Sequence, residues 1–439
     1  MVEKVCVIGA GASGLTTMKA LKKAGVPFDC FEMGSDIGGN WRYNNDNGRS
    51  AAYDSLHIDT SKERMAFSDF PMPADYPPYP HHSQIFAYFQ AYARYFDLYP
   101  HVTFGHCVER VVPVTEGYRV TVRSMADGQT QTITYRAVLV CNGHHWQPKL
   151  PNFPGQFDGE TIHSRSYRSP EQWTGQRVLV VGIGNSGVDI ACDLAETAVQ
   201  VFLSTRRGAH ILPRYILGRP TDTWLKPWVT RLPLKWQGFL LGTLVELTRG
   251  NQEKFGVPKP NHSLPAQHPT MSQELPHLVQ NGRVQLKPNV SQLNGRVVHF
   301  SDGSREAIDA IIYATGYQIS FPFFDPDFID VRDNQIPLYR KVVHPEHENL
   351  YFIGLIQPLG AIMPLAELQA RWVADLLSGQ AALPSKGSMW QAIVHEQAVL
   401  RRRYVRSTRH TIQVDFFPYK RQLQREITAG QQRSGTKVP

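Results

Sequence analysis

Cysteine is scarce in this chain and has no motif. The five cysteines, Cys6, Cys30, Cys107, Cys141 and Cys192, include no C-x-x-C pair in 439 residues. That spacing argues against a disulfide framework, a zinc site and a dithiol reductase, and makes the reducing cytoplasm the simplest compartment. Long apolar runs are missing too. None approaches the roughly 18 residues of a membrane-spanning helix, and the short apolar run at the N-terminus enters a glycine motif instead of a signal-peptide cleavage site. No recognised nucleic-acid module is present, and the basic residues are scattered. The net charge of +8 and pI near 9.1 therefore fit bound anionic dinucleotides as readily as nucleic acid. There is no triad of catalytic side chains and no metal-ligand set. With 42% hydrophobic and 19% charged residues, the composition is that of a globular protein, long enough for about two or three domains with their own cores.

What is present begins at Lys4. The apolar, β-branched run Lys4 to Ile8 reads as a buried strand. It leads into Gly9-Ala10-Gly11-Ala12-Ser13-Gly14, then a helical pattern with Leu15, Met18 and Leu21 on one face, then a second strand, Phe28 to Glu32. Gly9 permits the tight turn, Gly11 the approach of a pyrophosphate and Gly14 the close packing of helix on strand. The helix N-terminus offers unpaired N–H groups to phosphate. Glu32, 18 positions after Gly14, stands where a ribose hydroxyl needs an acceptor. The loop Gly38-Gly39-Asn40-Trp41-Arg42 suits a nucleotide or flat ring, or a plain surface turn. Residues 53–80 are rich in proline and aromatics towards their end and read as an irregular binding loop. The aromatics Phe86, Phe89, Tyr92, Tyr95 and Phe96 have helical spacing and read as core. Antiparallel strands with an Asp127-Gly128 turn follow.

The fingerprint then recurs as Gly182-Ile183-Gly184-Asn185-Ser186-Gly187, between a strand over Arg177 to Val181 and a helix over Val188 to Glu196. The next strand ends in Ser204-Thr205-Arg206-Arg207 instead of an acid. Hydroxyls and guanidinium groups suit a 2′-phosphate and point to NADPH over NADH; a solvated basic loop is the alternative. The stretch 219–258 interleaves Trp224, Trp228, Trp236, Phe239, Leu240, Leu241, Leu244 and Leu247 with Lys226, Arg231, Lys235 and Arg249. It suits an amphipathic surface segment in peripheral contact with a membrane or over a substrate entrance, or a helical lid packed on its own domain. Later strands include Ala310 to Tyr313, closed by Ala314-Thr315-Gly316-Tyr317, and a helix spans Leu365 to Leu377.

These parts together resemble the flavin-containing monooxygenase family over nearly the whole chain, to about Ile427. The most specific residues are Phe157-x-Gly159-x-x-x-His163-x-x-x-Tyr167, which match the family's identifying motif. Beside them stand both glycine fingerprints, Ser61-Lys62-Glu63, Ala314-Thr315-Gly316-Tyr317 and Leu368-Gln369-Ala370-Arg371-Trp372. The resemblance implies an α/β fold with two Rossmann-like dinucleotide-binding domains. An FAD domain would comprise 1–152 and 309–428, with an NADPH domain, 153–308, inserted into it and a flexible tail over 429–439. FAD would be held by Gly9, Gly11, Ser13, Gly14, Glu32, Gly39, Trp41 and Arg42. NADPH would be held by Gly182, Gly184, Asn185, Ser186, Gly187, Ser204, Thr205, Arg206 and Arg207. His163, Thr315, Gly316 and Gln357 complete the cofactor set, with His163 open to a purely structural role. Membrane-bound members carry an apolar C-terminal tail, so the polar end of this chain leads to the expectation of a soluble protein, and a bacterial-type member is expected.

The implied chemistry is reduction of FAD by NADPH, formation of a C4a-hydroperoxide from reduced flavin and dioxygen, and attack on its distal oxygen by an amine nitrogen or thioether sulfur. The partners are then a small molecule and dioxygen, with no nucleic acid; a homodimer is allowed. Baeyer–Villiger oxygenases are similar, but their identifying motif usually ends in tryptophan where this chain has Tyr167. An uncoupled NADPH oxidase is a further alternative. Asp59 occupies the position where the family usually has an asparagine beside the flavin. An ionised carboxylate only accepts hydrogen bonds, so Asp59 is either held protonated by burial or shortens the life of the intermediate. The nucleotide assignment is tested by Arg206→Ala, which should raise the apparent NADPH constant sharply and leave that for NADH little changed in steady-state kinetics. Equal use of NADPH and NADH by the native protein would overturn it.

Overall fold

The apolar runs of the sequence become the inner strands of two parallel sheets. The computed structural model describes residues 3–224, 229, 232–260, 264, 269–403 and 411–435. Trp228, Lys226 and Arg231 lie outside the described residues. In chain order the first sheet receives β1 (Val5–Ile8), β2 (Phe28–Phe31), β3 (Val102–Thr103) and β4 (Ala137–Val140), with helix α1 (Ala12–Lys23) between β1 and β2. The second sheet is built from β5 (Glu160–His163), β6 (Arg177–Val181), β7 (Gln200–Ser204), β8 (Val284–Lys287) and β9 (Ala310–Tyr313). Helix α2 (Asn185–Thr197) joins β6 to β7, and α3 (Leu234–Arg249) precedes β8. The chain returns to the first sheet with β10 (Leu350–Phe352), followed by α4 (Met363–Leu377). The strand orders are β10-β4-β1-β2-β3 and β5-β9-β6-β7-β8, and the pairings within both are parallel.

The chain divides into two compact units, one of residues 1–50, 62–147 and 318–439, the other of 51–61 and 148–317. The strips 148–152 and 309–317, expected in the first domain, belong to the second unit, and so does 51–61. The reason for 309–317 is that β9 sits inside the second sheet, hydrogen-bonded to β5 on one side and β6 on the other. The flexible tail expected over 429–439 begins inside a helix, which runs over Phe416–Arg433.

Strand alternation decides what each sheet buries. In the first unit Cys6, Ile8, Val138, Val140 and Phe352 share a core with Val108, Val120 and Val122 of a three-stranded antiparallel sheet over 106–135 and with Phe321, Phe323 and Phe324. In the second unit Val178, Val180, Val201, Leu203 and Ile312 pack on Val188, Ala191 and Leu194 of α2. The alternate residues Leu179, Val181, Phe202 and Ile311 pack on Val298 and Phe300 from the opposite side. The helix over His82–Tyr95 buries Phe89 and Tyr92 as the aromatic spacing indicated, but Tyr95 is 71% exposed.

Each glycine turn is tight enough to exclude a single carbon. A methyl group on Gly14 would lie 1.9 Å from the Gly9 carbonyl oxygen, and one on Gly187 would lie 1.9 Å from that of Gly182. The helix therefore starts almost on top of the strand end. Gly187→Ala should lower stability by ~1–3 kcal/mol, the usual cost of overpacking a filled site, read as a lower urea midpoint at unchanged slope. An unchanged midpoint would show that α2 can retreat from β6.

Candidate functional site

In the first unit, β1, β2 and β4 end together, with Ile8 beside Phe31 and Val140. The Gly9 turn, Glu32 and the loop from Cys141 to His145 consequently gather at one carboxyl edge. Helix α1 starts behind Gly11 with no side-chain cap and no acid in its first turn, which leaves its N–H groups for an anion. Glu32 is buried, and its carboxylate accepts from the Ala10 N–H at 2.8 Å, the Gly34 N–H at 2.9 Å and the Asn47 amide at 3.2 Å. Four lone-pair sites on a carboxylate leave room for one more donor. Gly39 follows closely, since a methyl on Gly11 would lie 3.6 Å from the Gly39 Cα. Trp41 ends the turn Gly39–Trp41 and is half-buried. Arg42 is turned to its own loop, paired with Asp46 at 2.8 Å and donating to Ser35 at 2.8 Å.

Two further residues hold this edge that sequence reasoning did not assign. Gly354, just past β10, has φ +76°, and a methyl there would lie 2.1 Å from the Ser13 hydroxyl. Its N–H donates at 2.8 Å to the buried Gln369 side chain of α4, whose amide donates to Tyr419 at 2.7 Å. The Leu368–Trp372 motif carried that signal, but nothing in it named Gly354. His144 is buried, and burial with His145 beside it holds its imidazole well below the ordinary histidine value. Its Nε2 makes no hydrogen bond among the described residues. Gln357 lies apart on a short strand, its N–H bonded to Ile412 at 2.9 Å.

In the second unit the register puts Ser204 and Tyr313 level with Val181. The Gly182–Gly187 turn, Thr205 to Arg207 and Thr315-Gly316 consequently share one edge. Gly184 caps α2, Asn185, Ser186 and Gly187 open it, and its first turn carries no acid. The Ser204 hydroxyl donates to the Pro288 carbonyl at 2.6 Å, and the Thr205 hydroxyl accepts from the Gly208 N–H at 3.1 Å. Arg206 and Arg207 are exposed. Thr315 donates to the Lys149 carbonyl. His163 is held by backbone at both nitrogens: Nδ1 accepts from the Arg165 N–H at 3.1 Å and Nε2 meets the Gly316 carbonyl at 3.0 Å. Burial lowers its pKa, so it is a neutral Nε2–H imidazole that ties the identifying motif to Gly316.

Asp59 stands in this second unit, on a strip docked along α2. Asn185, Asp189 and Asp193 recur every four residues and so line one helix face. Asn185 donates to Asp59 Oδ2 at 2.7 Å, Tyr53 donates to Asp189 at 2.7 Å, and Ser55 donates to Asp193 at 2.6 Å. Tyr167 of the identifying motif also donates to Asp193, at 3.2 Å. Asn185 Oδ1 accepts from the Met271 N–H at 3.0 Å, which turns its NH2 towards Asp59. One Arg214 nitrogen faces both acids, 3.6 Å from Asp59 Oδ1 and 3.5 Å from Asp189 Oδ1. Burial raises both pKa values. The charge of Asp189 adds to the rise at Asp59, while Arg214 opposes it at both. Asp59 keeps 27% of its side chain exposed, so solvent tempers the shift. Tyr53, Asp189 and Arg214 were not singled out from sequence; the Asn185-Asp189-Asp193 spacing was the available signal.

One face of α3 packs on its own unit. Leu241, Leu244 and Val245 pack with Leu212, Ile216 and Met271, whereas Trp236, Phe239, Leu240 and Leu247 are exposed. Beneath it is a cavity of about 510 Å³ lined by Ile211, Leu212, Phe239, Val245, Arg249 and Leu264 among others. Among the described residues no group of His, Cys, Asp or Glu is arranged to hold a metal ion, and no helix is long and apolar enough to cross a membrane.

Known proteins match this arrangement. The family described as flavin-binding monooxygenase-like matches residues 2–432. Flavin-containing monooxygenase 5 of Rattus norvegicus is 44% identical over 431 residues, covering 94% of this chain and 80% of its own. Dimethylaniline monooxygenase [N-oxide-forming] 2 of the same species is 38% identical, covering 98% and 83%. The structure of S-allyl-L-cysteine S-oxygenase from Allium sativum is 26% identical with a TM-score of 0.75, covering 99% of this chain and 89% of its own. The expected bacterial type is not borne out.

The Gln369 bridge is the most exposed to test of the newly found contacts. Gln369→Leu leaves the Gly354 N–H without its acceptor, and should cost ~1–3 kcal/mol as a lowered urea midpoint. A midpoint equal to the native one would show that Gly354 is held by other means.

Proposed function

The chain belongs to the flavin-binding monooxygenase-like family, and we infer that it oxygenates soft nucleophiles, an amine nitrogen or a thioether sulfur, at the expense of NADPH and dioxygen. Its cofactors are FAD and NADPH. The observation that carries this reading is the pair of strand–turn–helix cradles in one chain, each with an uncapped helix N-terminus and no acid in its first turn. The first unit fits FAD. Glu32 retains acceptor capacity for a ribose hydroxyl, Gly11 and Gly39 leave a backbone-lined approach, and the buried Nε2 of His144 lacks a partner among the described residues. The second unit fits NADPH, because Arg206 and Arg207 lie exposed at the strand end beside the turn, where guanidinium groups suit a 2′-phosphate.

FAD, when bound, supplies the activation of dioxygen, and NADPH supplies the electron pair. The protein's residues bind and orient them. Gly14 and Gly187 bring each helix end close to its strand, so that N–H groups converge on phosphate. His163 fixes Gly316 as a neutral group, and Gln369 fixes Gly354 beside Ser13. For a thioether the balance is one thioether, one dioxygen, one NADPH and one proton giving one sulfoxide, one NADP⁺ and one water. The cytoplasm is the compartment we assign, on the five unpaired cysteines. Peripheral membrane contact through the insertion is part of the proposal, supported by the exposed Trp236, Phe239, Leu240 and Leu247.

The test measures product and hydrogen peroxide per NADPH consumed with a thioether, a tertiary amine and a cyclic ketone in parallel. Sulfoxide and N-oxide should approach the NADPH consumed, with little ketone insertion. Peroxide as the sole product with all substrates would overturn the reading in favour of an oxidase.

A further inference from the structure

We propose that Asp59 and Asp189, bridged by Arg214, form a one-proton carboxylate pair whose protonation is coupled to the docking of dinucleotide phosphate at the second glycine turn. The inference rests on the reading of that turn as the NADPH site. It begins with a charge count. Two carboxylates converge through their Oδ1 atoms on one guanidinium nitrogen, at 3.6 and 3.5 Å. Asp193 and Glu274 add further negative charge facing Asp189. The Tyr53 hydroxyl, the remaining titratable group against Asp189, donates to it at 2.7 Å, and burial holds that phenol protonated. The Cys192 thiol, on the same helix, is likewise held protonated by burial. Among the described residues, one guanidinium between two half-buried acids leaves the pair best satisfied when it holds a single proton, and such a proton belongs to the pair and not to either member.

The pair is tied to the phosphate end of the helix by hydrogen bonds of fixed direction. Asn185 is the first residue of α2. Its Oδ1 is occupied by the Met271 N–H at 3.0 Å, so its amide donates to Asp59 Oδ2 at 2.7 Å. Oδ2 is therefore an acceptor, and the site left for a proton on Asp59 is Oδ1. That atom is occluded and makes no hydrogen bond among the described residues. Asp189 lies one helical turn further along the same face.

A phosphate docking at the N-terminus of α2 brings negative charge towards both acids and raises their hold on a proton. Both pKa values already stand above the ordinary carboxylate value through burial. The bound dinucleotide moves them further in the same direction. The sign follows: the protonated pair binds dinucleotide more tightly, so affinity rises as pH falls through the window between the free and bound pKa values. By reciprocity, binding takes up protons. Full coupling gives one proton per nucleotide and a tenfold change in affinity per pH unit, since each bound proton contributes 2.303RT per unit. Two conservative changes dissolve the pair. Asp189→Asn leaves Asp59 alone with Arg214, and Asp59→Asn leaves Asp189 alone with it. In each, Arg214 serves one acid of the pair instead of two, so the remaining carboxylate keeps its charge more readily.

The experiment is calorimetric titration of the FAD-loaded protein with NADP⁺ near pH 7, in two buffers of different ionisation enthalpy, for the native protein and both variants. The 2′-phosphate of NADP⁺ titrates in the same range, but its contribution is common to all three proteins and cancels in the difference. The native protein should take up about 0.3 to 1 proton more than either variant, with an affinity that rises about two- to tenfold from pH 8 to pH 7 beyond the change in the variants. Equal proton uptake in the native protein and in whichever variants bind NADP⁺ overturns the coupling and leaves the nucleotide assignment intact. Failure of the native protein to bind NADP⁺ at all overturns the assignment of the second turn, and the coupling with it.

Discussion

The second unit depends on three hydrogen bonds along one face of α2. A strip of chain more than a hundred residues upstream is held there by Asn185 on Asp59, Asp189 on Tyr53 and Asp193 on Ser55. The helix offers one donor, at Asn185, followed by two acceptors, at Asp189 and Asp193, so the strip fits in one register. Tyr53 adds its ring to the apolar core of the same unit. Without this docking, Asp189 would keep Arg214 and Asp193 would keep Tyr167, but each would lose its shorter hydroxyl donor, which is costly for partly buried charge. With it, the phosphate-binding turn acquires a polar floor of fixed geometry.

That floor has electrostatic consequences. Arg214 cannot neutralise two carboxylates at once, and burial pushes both acids upward. The identifying motif joins the same network through Tyr167 on Asp193, while His163, four residues earlier, binds the Gly316 carbonyl. One short motif thus ties together α2 and the Ala-Thr-Gly strand end. These residues act by holding backbone and carboxylates in place, as befits an enzyme whose hard chemistry is done by its cofactors.

The first unit works by close packing. Glu32 is gripped by two backbone N–H groups and an amide, so its position is set before any ribose arrives. Gly354 and Ser13 meet at a separation that leaves no room for a side chain, and Gln369 holds the meeting point from α4. Preorganised donors and acceptors cost nothing to order on binding. The Arg42 guanidinium is part of that ordering: it braces the loop that follows Glu32 by pairing with Asp46 and Ser35.

Local patterns in the sequence determined both glycine turns, the flanking strands and helices, Glu32 and the arginine pair, because each depends on residues within about thirty positions and on the period of a strand or helix. Continuous apolar runs likewise marked which strands are buried on both faces. Tertiary structure alone decided that Ala310–Tyr313 belongs inside the second sheet, that 51–61 docks on α2, and that Asp59 meets Asn185, Asp189 and Arg214. Those contacts join residues far apart in the chain. Their energies come from pairing charges and donors that no local period reveals, so the acids of α2 read as an ordinary polar helix face until the strip that covers them is in place.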